Sequence, residues 1–196
     1  MSRGRRRVVL VWLVLVALLA TIATLEYAER RRTARAAGGD ARRLLAAPVS
    51  ELGAVEIAEA GRLHRFERDT AGRWFYHGVH GGSEGEHAHA ADPAVAERVK
   101  RTLAALGRAR MERGLPLQGD GATYGLTAPD LVVLVYRPGQ RQPLAQYAVG
   151  HEAPDRLSRY VLRVGASAVV TIPNYHIDNL RALLRAVGDA QADGGR

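Results

Sequence analysis

The chain has 196 residues, no cysteine and a formal net charge of +8. The missing cysteine excludes disulfides and thiolate metal sites. The basic excess resembles a nucleic-acid footprint until it is located: residues 1–43 carry ten arginines and three acids, a net of +7, whereas residues 44–196 stand at +1. A near-neutral domain lacks the charge that phosphate backbones demand, so nucleic acid is excluded as a partner.

Val8 to Leu25 (VVLVWLVLVALLATIATL) is 18 residues without a charge. At ~1.5 Å per residue such a helix spans about 27 Å, close to a bilayer's hydrocarbon core. Trp12 and Tyr27 suit its two interfaces. Arginines flank both ends (Arg3, Arg5, Arg6 and Arg7 before, Arg30, Arg31, Arg32 and Arg35 after), so charge counting alone leaves the orientation open. The short basic N-terminal tail favours N-in, C-out. A cleaved signal peptide with a site at Thr21-Ile22-Ala23 is the competing reading, but the apolar run exceeds the usual h-region. The expectation is an uncleaved signal anchor, in contact with the lipid bilayer and set in a bacterial inner membrane, with a periplasmic domain. The divisions read from the sequence are a cytoplasmic tail (1–7), the anchor (8–27), a linker (28–43), an α+β domain (44–187) and a disordered tail (188–196).

Leu44, Leu45 and Pro48 begin the domain. Ala54 to Glu59 alternates with period two and predicts a strand with Val55 and Ile57 inward and Glu56 toward solvent. A turn at Ala60-Gly61 leads to a second strand over Leu63 to Arg68, with His64 read as a surface residue. After the turn Asp69-Thr70-Ala71-Gly72, the aromatic run Arg73 to Tyr76 predicts a third strand. His77 to Ala91 is a polar, His-bearing insertion. Asp92-Pro93 reads as the start of a helix whose Val95, Val99, Leu103 and Leu106 share one face, closed by Gly107.

Arg108 to Gly121 is mixed, with Met111 and Leu115 as anchors, and Ala122 to Pro129 is a compact turn. Leu131 to Tyr136 (LVVLVY) is apolar on both faces, as a central strand is. Leu144 to Val149 continues after Pro138-Gly139. His151 to Leu157 reads as a polar loop, and Arg159 to Val164 and Ala168 to Ile172 as a last hairpin. Pro173-Asn174 then open a helix with the stripe Ile177, Leu180, Leu183, Leu184 and Val187, ending at Gly188. Runs of strands joined by tight turns argue for an α+β fold of two antiparallel β-meander-plus-helix units behind a single transmembrane helix.

The segment Tyr124-Gly125-Leu126-x-x-Pro129, followed by a strand, a hairpin to Val149-Gly150, Arg159-Tyr160-Val161, Val169-Val170 and a helix after Pro173, resembles the domain of unknown function 4340 family over about residues 44–187. The resemblance implies a bacterial envelope protein, often with an N-terminal anchor, and some relatives associate with transport systems resembling gliding-motility ABC transporter auxiliary proteins. It carries over no catalytic residue.

Two functional readings follow. In the first, the domain is an interaction or accessory module for a membrane or periplasmic protein partner, auxiliary to an envelope transport complex, with Tyr124, Gly125, Leu126, Pro129 and Tyr160 as a docking surface. In the second, His77, His80, His87 and His89 bind a divalent metal (Zn, Ni or Cu), since imidazole suits these ions and the intervening glycines let a loop fold around one. The bland alternatives are a solvated His-bearing loop and tyrosines that bury their rings against turns while their hydroxyls find a partner. His151 with Asp155 is a further polar pair. Ser83, Ser158 and Ser167 lack the G-x-S-x-G context, and neither a P-loop nor G-x-G-x-x-G occurs, so no enzyme activity or nucleotide cofactor is expected.

Overall fold

Period-two apolar patterning folds into eight strands: β1 (Ala54–Glu59), β2 (Arg62–Arg68), β3 (Trp74–His80), β4 (Gly114–Pro116), β5 (Leu131–Tyr136), β6 (Ala145–Glu152), β7 (Ser158–Arg163) and β8 (Ala168–Pro173). Two helices, α1 (Pro93–Gly107) and α2 (Asn174–Gly194), follow β3 and β8. The structure is a computed structural model that describes residues 42–80 and 93–194, all within a unit of Arg42–Arg196. The segment expected to be a membrane anchor (8–27) lies outside the described residues. Among those described, no helix is long and apolar enough to cross a membrane.

The strands form one antiparallel sheet in the order β3-β2-β1-β5-β6-β7-β8-β4. The α+β class holds, but the two meanders are not separate units. β1 pairs with β5 along its whole length, Val55 opposite Val135 and Ile57 opposite Val133, and this joins both meanders into one sheet. The physical reason is the sequence of β5: with Leu131, Val133 and Val135 buried on one face and Val132 and Leu134 half-buried on the other, it needs a neighbour at each edge. The short strand β4 was not expected. Its Pro116 leaves a backbone position without a donor, as suits an edge strand.

Both helices contribute to the core on one face of the sheet. Val99, Leu103 and Leu106 of α1 meet Ile177, Leu180, Leu183, Leu184 and Val187 of α2 there, together with Val55, Phe66, Val133, Tyr147 and Val161 from five strands. Each such fully buried side chain contributes roughly 1.5–3 kcal/mol over its exposed state. Leu44, Leu45 and Ala47 close this core from the N-terminal side, where the Tyr147 hydroxyl accepts the Ala46 backbone N–H at 2.7 Å.

Four local expectations change. α2 does not stop at Gly188 but runs to Gly194, so the disordered tail from residue 188 is not found over the described residues. A helical glycine costs about 1 kcal/mol yet keeps its hydrogen bonds, and the residues after it include the good helix formers Ala190, Gln191 and Ala192. β3 extends to His80, which puts His77 and His80 in a strand and not in a loop. β6 likewise continues through His151 to Glu152, past a register shift against β7, so the polar loop begins later. His64 is not a surface residue: it is 6 % exposed, because strand alternation places it on the same face as Phe66, and its Nδ1 lies 2.9 Å from the Tyr76 hydroxyl.

Candidate functional site

The sheet face away from the helices is finished in two ways. Over β6, β7 and β8 it is covered by the connection between β4 and β5. Tyr124, Leu126, Ala148 and Val169 form a second apolar cluster there, with Leu115, Leu117, Tyr160 and Leu162 against it. The Tyr124-Gly125-Leu126 segment sits where two glycines allow it. Gly125 has φ +71°, and a Cβ on it would come 2.3 Å from His151 Cδ2. A Cβ on Gly150 would stand 2.0 Å from the Tyr124 carbonyl oxygen. The turn is thus seated directly on β6, and only glycine permits that approach. Tyr124 is 6 % exposed; its hydroxyl donates to the Pro116 carbonyl at 3.1 Å, and its ring meets Tyr160 edge-on at 5.0 Å between centroids. Leu126 is buried and Pro129 is half-buried. The structure therefore brings Tyr124, Leu126 and Tyr160 into one cluster, with the half-buried Pro129 outside it. The expected pairing of His151 with Asp155 is not found. The Asp155 carboxylate accepts from Ser158 Oγ, at 2.9 and 3.0 Å, and pairs with Arg113 at 3.2 Å; these hydrogen bonds, led by the Leu157 backbone N–H, hold its pKa below the usual carboxylate value.

Over β5, β1, β2 and β3 the same face carries a polar ladder. The Tyr136 hydroxyl donates to Glu56 Oε2 at 2.5 Å. Arg65 donates from Nη1 to Glu56 Oε1 at 2.6 Å and from Nε to Glu67 Oε1 at 2.5 Å. The Arg65 guanidinium also stands 5.4 Å from the Tyr136 ring centroid, within cation–π range. His77 Nδ1 ends the row 3.6 Å from Glu67 Oε2. Glu56 was expected in solvent; it is 8 % exposed because Arg65 and Tyr136 close over it. Burial, reinforced by the Glu56 carboxylate, pushes the Tyr136 hydroxyl up to about 12. Burial opposes the charge on Arg65, but the bonds to Glu67 and Glu56 outweigh it and raise its pKa. One guanidinium serves two carboxylates in this ladder, and both Glu56 oxygens are engaged.

His77 occupies a β-bulge. Arg65 pairs with Gly78 and Phe66 with Tyr76, leaving His77 as the extra residue, and Gly78 takes φ +118° to accommodate it. His80 follows in the strand opposite Leu63. His87 and His89 lie outside the described residues. Among the described residues no three His, Asp or Glu side chains converge as a metal site.

One sizeable concavity among the described residues was not visible in the sequence. A groove of about 770 Å³ runs between α1 and the start of β3. Trp74 and Phe75 line it from the sheet, Ala96 and Lys100 from the helix, and Arg73 from the turn before β3. The aromatic run at Arg73 to Tyr76 was the available signal, but its burial against a helix depends on how α1 crosses the sheet.

A family model described as domain of unknown function (DUF4340) matches residues 87–190. No curated protein matches the chain, and no solved structure does.

Proposed function

The chain belongs to the domain of unknown function 4340 family, and from that premise we propose that it is a single-pass protein of the bacterial inner membrane whose periplasmic α+β domain is an interaction module, auxiliary to an envelope transport complex. The apolar stretch Val8–Leu25 supports the anchoring. The observation that carries the interaction role is the groove between α1 and β3. Trp74 and Phe75 line it beside Arg73, and aromatic residues and arginine are the types enriched at protein-recognition surfaces. A groove of this size takes an extended or helical segment of a partner polypeptide. The buried cluster around Tyr124 builds the wall of the domain, with the half-buried Pro129 outside it.

The test is site-specific photocrosslinking in intact membranes. A photoreactive residue at Ala96 of the full chain is expected to give one discrete protein adduct, and the same residue at the exposed Arg62, on the far end of β2, is expected to give none. Absence of an adduct at Ala96, or the same adducts at both positions, would overturn the interaction role. Protease added to spheroplasts is expected to digest the domain; full protection would overturn the periplasmic placement.

A further inference from the structure

A second concavity lies at the end of the sheet where β2 leaves, β1 begins and the β5–β6 turn projects. It is a cleft of about 550 Å³, and Arg65, Arg68, Arg137 and Arg141 line it against only Glu67 and Asp69. Both acids are already engaged: Glu67 by Arg65 at 2.5 Å, and Asp69 by the Arg73 Nε at 2.9 Å and the Arg73 backbone N–H at 2.8 Å. Arg68 is held in place by donating to the Gly72 carbonyl at 2.9 Å and the Ser50 carbonyl at 2.6 Å. Arg137 and Arg141 bracket the turn and form no ion pair among the described residues. Arg137 Nε is moreover buried with no hydrogen-bond partner, which leaves a donor of this cation unsatisfied.

The other end of the sheet shows what this fold does with arginines that have a structural task. There Arg159 reaches Asp130 at 2.7 Å and Arg181 reaches Glu59 at 2.7 Å. The cleft departs from that pattern, and its walls are set by close backbone packing: a Cβ on Gly53 would come 2.5 Å from Pro138 Cα, so glycine brings the β5–β6 turn against the start of β1.

We propose that this cleft is a binding site for a phosphate group, held by the guanidinium forks of Arg137 and Arg141, with Arg68, fixed by two backbone carbonyls, as a positive neighbour. A planar guanidinium matches phosphate oxygens two at a time, and a tetrahedral anion carries enough oxygens to engage both arginines of the turn. A carboxylate is the poorer match, because its two oxygens satisfy a single fork and leave the second arginine without a partner. The phosphate can belong to a dissolved phosphorylated solute or to a phospholipid headgroup; the chemistry of recognition is common to both.

The experiment uses the full chain in an uncharged detergent, titrated calorimetrically with inorganic phosphate and, separately, with dihexanoyl phosphatidylglycerol. Saturable one-site binding of at least one probe is expected. It should weaken at least tenfold in the Arg137→Gln, Arg141→Gln double variant and stay unchanged in an Arg62→Gln, Arg156→Gln variant at the opposite end. Arg137→Lys, which keeps charge and loses the fork, is expected to fall between wild type and the double variant, and it serves as the readout should the double variant not fold. Tighter binding of inorganic phosphate assigns a solute; tighter binding of phosphatidylglycerol assigns a headgroup; either supports the site. No saturable binding of either probe, or equal weakening in the Arg62, Arg156 control, overturns it.

Discussion

β6 to β8 and β1 to β3 share one sheet and bury one face under the same two helices, yet they finish the opposite face by different chemistry. Over β6 to β8 the finish is apolar: the Tyr124 turn lies on the strands, closely enough that two glycines are obligatory. Over β1 to β3, joined by Tyr136 of β5, it is ionic: Tyr136, Glu56, Arg65, Glu67 and His77 pass charge and hydrogen bonds from strand to strand. The family match, residues 87–190, takes in the sealed half and leaves out β1 to β3. The motifs carrying the family resemblance, Tyr124-Gly125-Leu126 and Val149-Gly150, do architectural work, while the aromatic groove and the arginine cleft lie beside β1 to β3.

The sharpest way to break the comparison is to push the turn off the sealed half. Gly150→Ala places a methyl inside the Tyr124 carbonyl and is expected to cost about 3 kcal/mol or more, as overpacking does at its upper end, measured by urea unfolding. A cost below about 1 kcal/mol would show the turn to be loosely seated. On the ionic half, Glu56→Ala leaves Arg65 and Tyr136 facing each other without their common acceptor. Removing one partner of a fully buried pair costs about 3–5 kcal/mol; because Arg65 is partly exposed, about 2 kcal/mol is expected, again read from the unfolding midpoint. Tyr124→Phe keeps the ring contact with Tyr160 and loses only the bond to Pro116, for an expected loss of about 1 kcal/mol.

The core beneath both halves gives a pH test. Burial, aided by nearby Arg62, lowers the pKa of His64, and burial with Arg108 lowers that of His176, both from 6.5. Each is therefore neutral in the folded protein and takes up a proton more readily when unfolded. Their contribution to stability is complete above pH 6.5 and is lost as pH falls from there through the lowered folded values. Unfolding midpoints measured across that range should decline toward acid, and His64→Gln, which keeps an acceptor for Tyr76, should flatten the decline. The smallest effect has the opposite sign: Gly188→Ala, with open space around the added methyl, should stabilise α2 by about 0.5–1 kcal/mol.

The sequence by itself determined the charge partition between residues 1–43 and the rest, seven of the eight strands, the start of both helices and their apolar stripes. These are local properties: period two, period 3.6, glycine and proline punctuation each act over a few residues. It also carried the family's turn. The tertiary structure decided that β1 and β5 join the meanders into one sheet, that Gly188 does not end α2, and that His64 and Glu56 are buried. The reason is that each of these depends on a neighbour distant in the chain: β5 seeks partners on both edges, and Glu56 is covered by Tyr136, 80 residues away. The groove and the arginine cleft belong to the same class. Arg137 and Arg141 read in sequence as two charges in a polar turn; only the approach of Pro138 to Gly53 gives them Arg65 and Arg68 as neighbours.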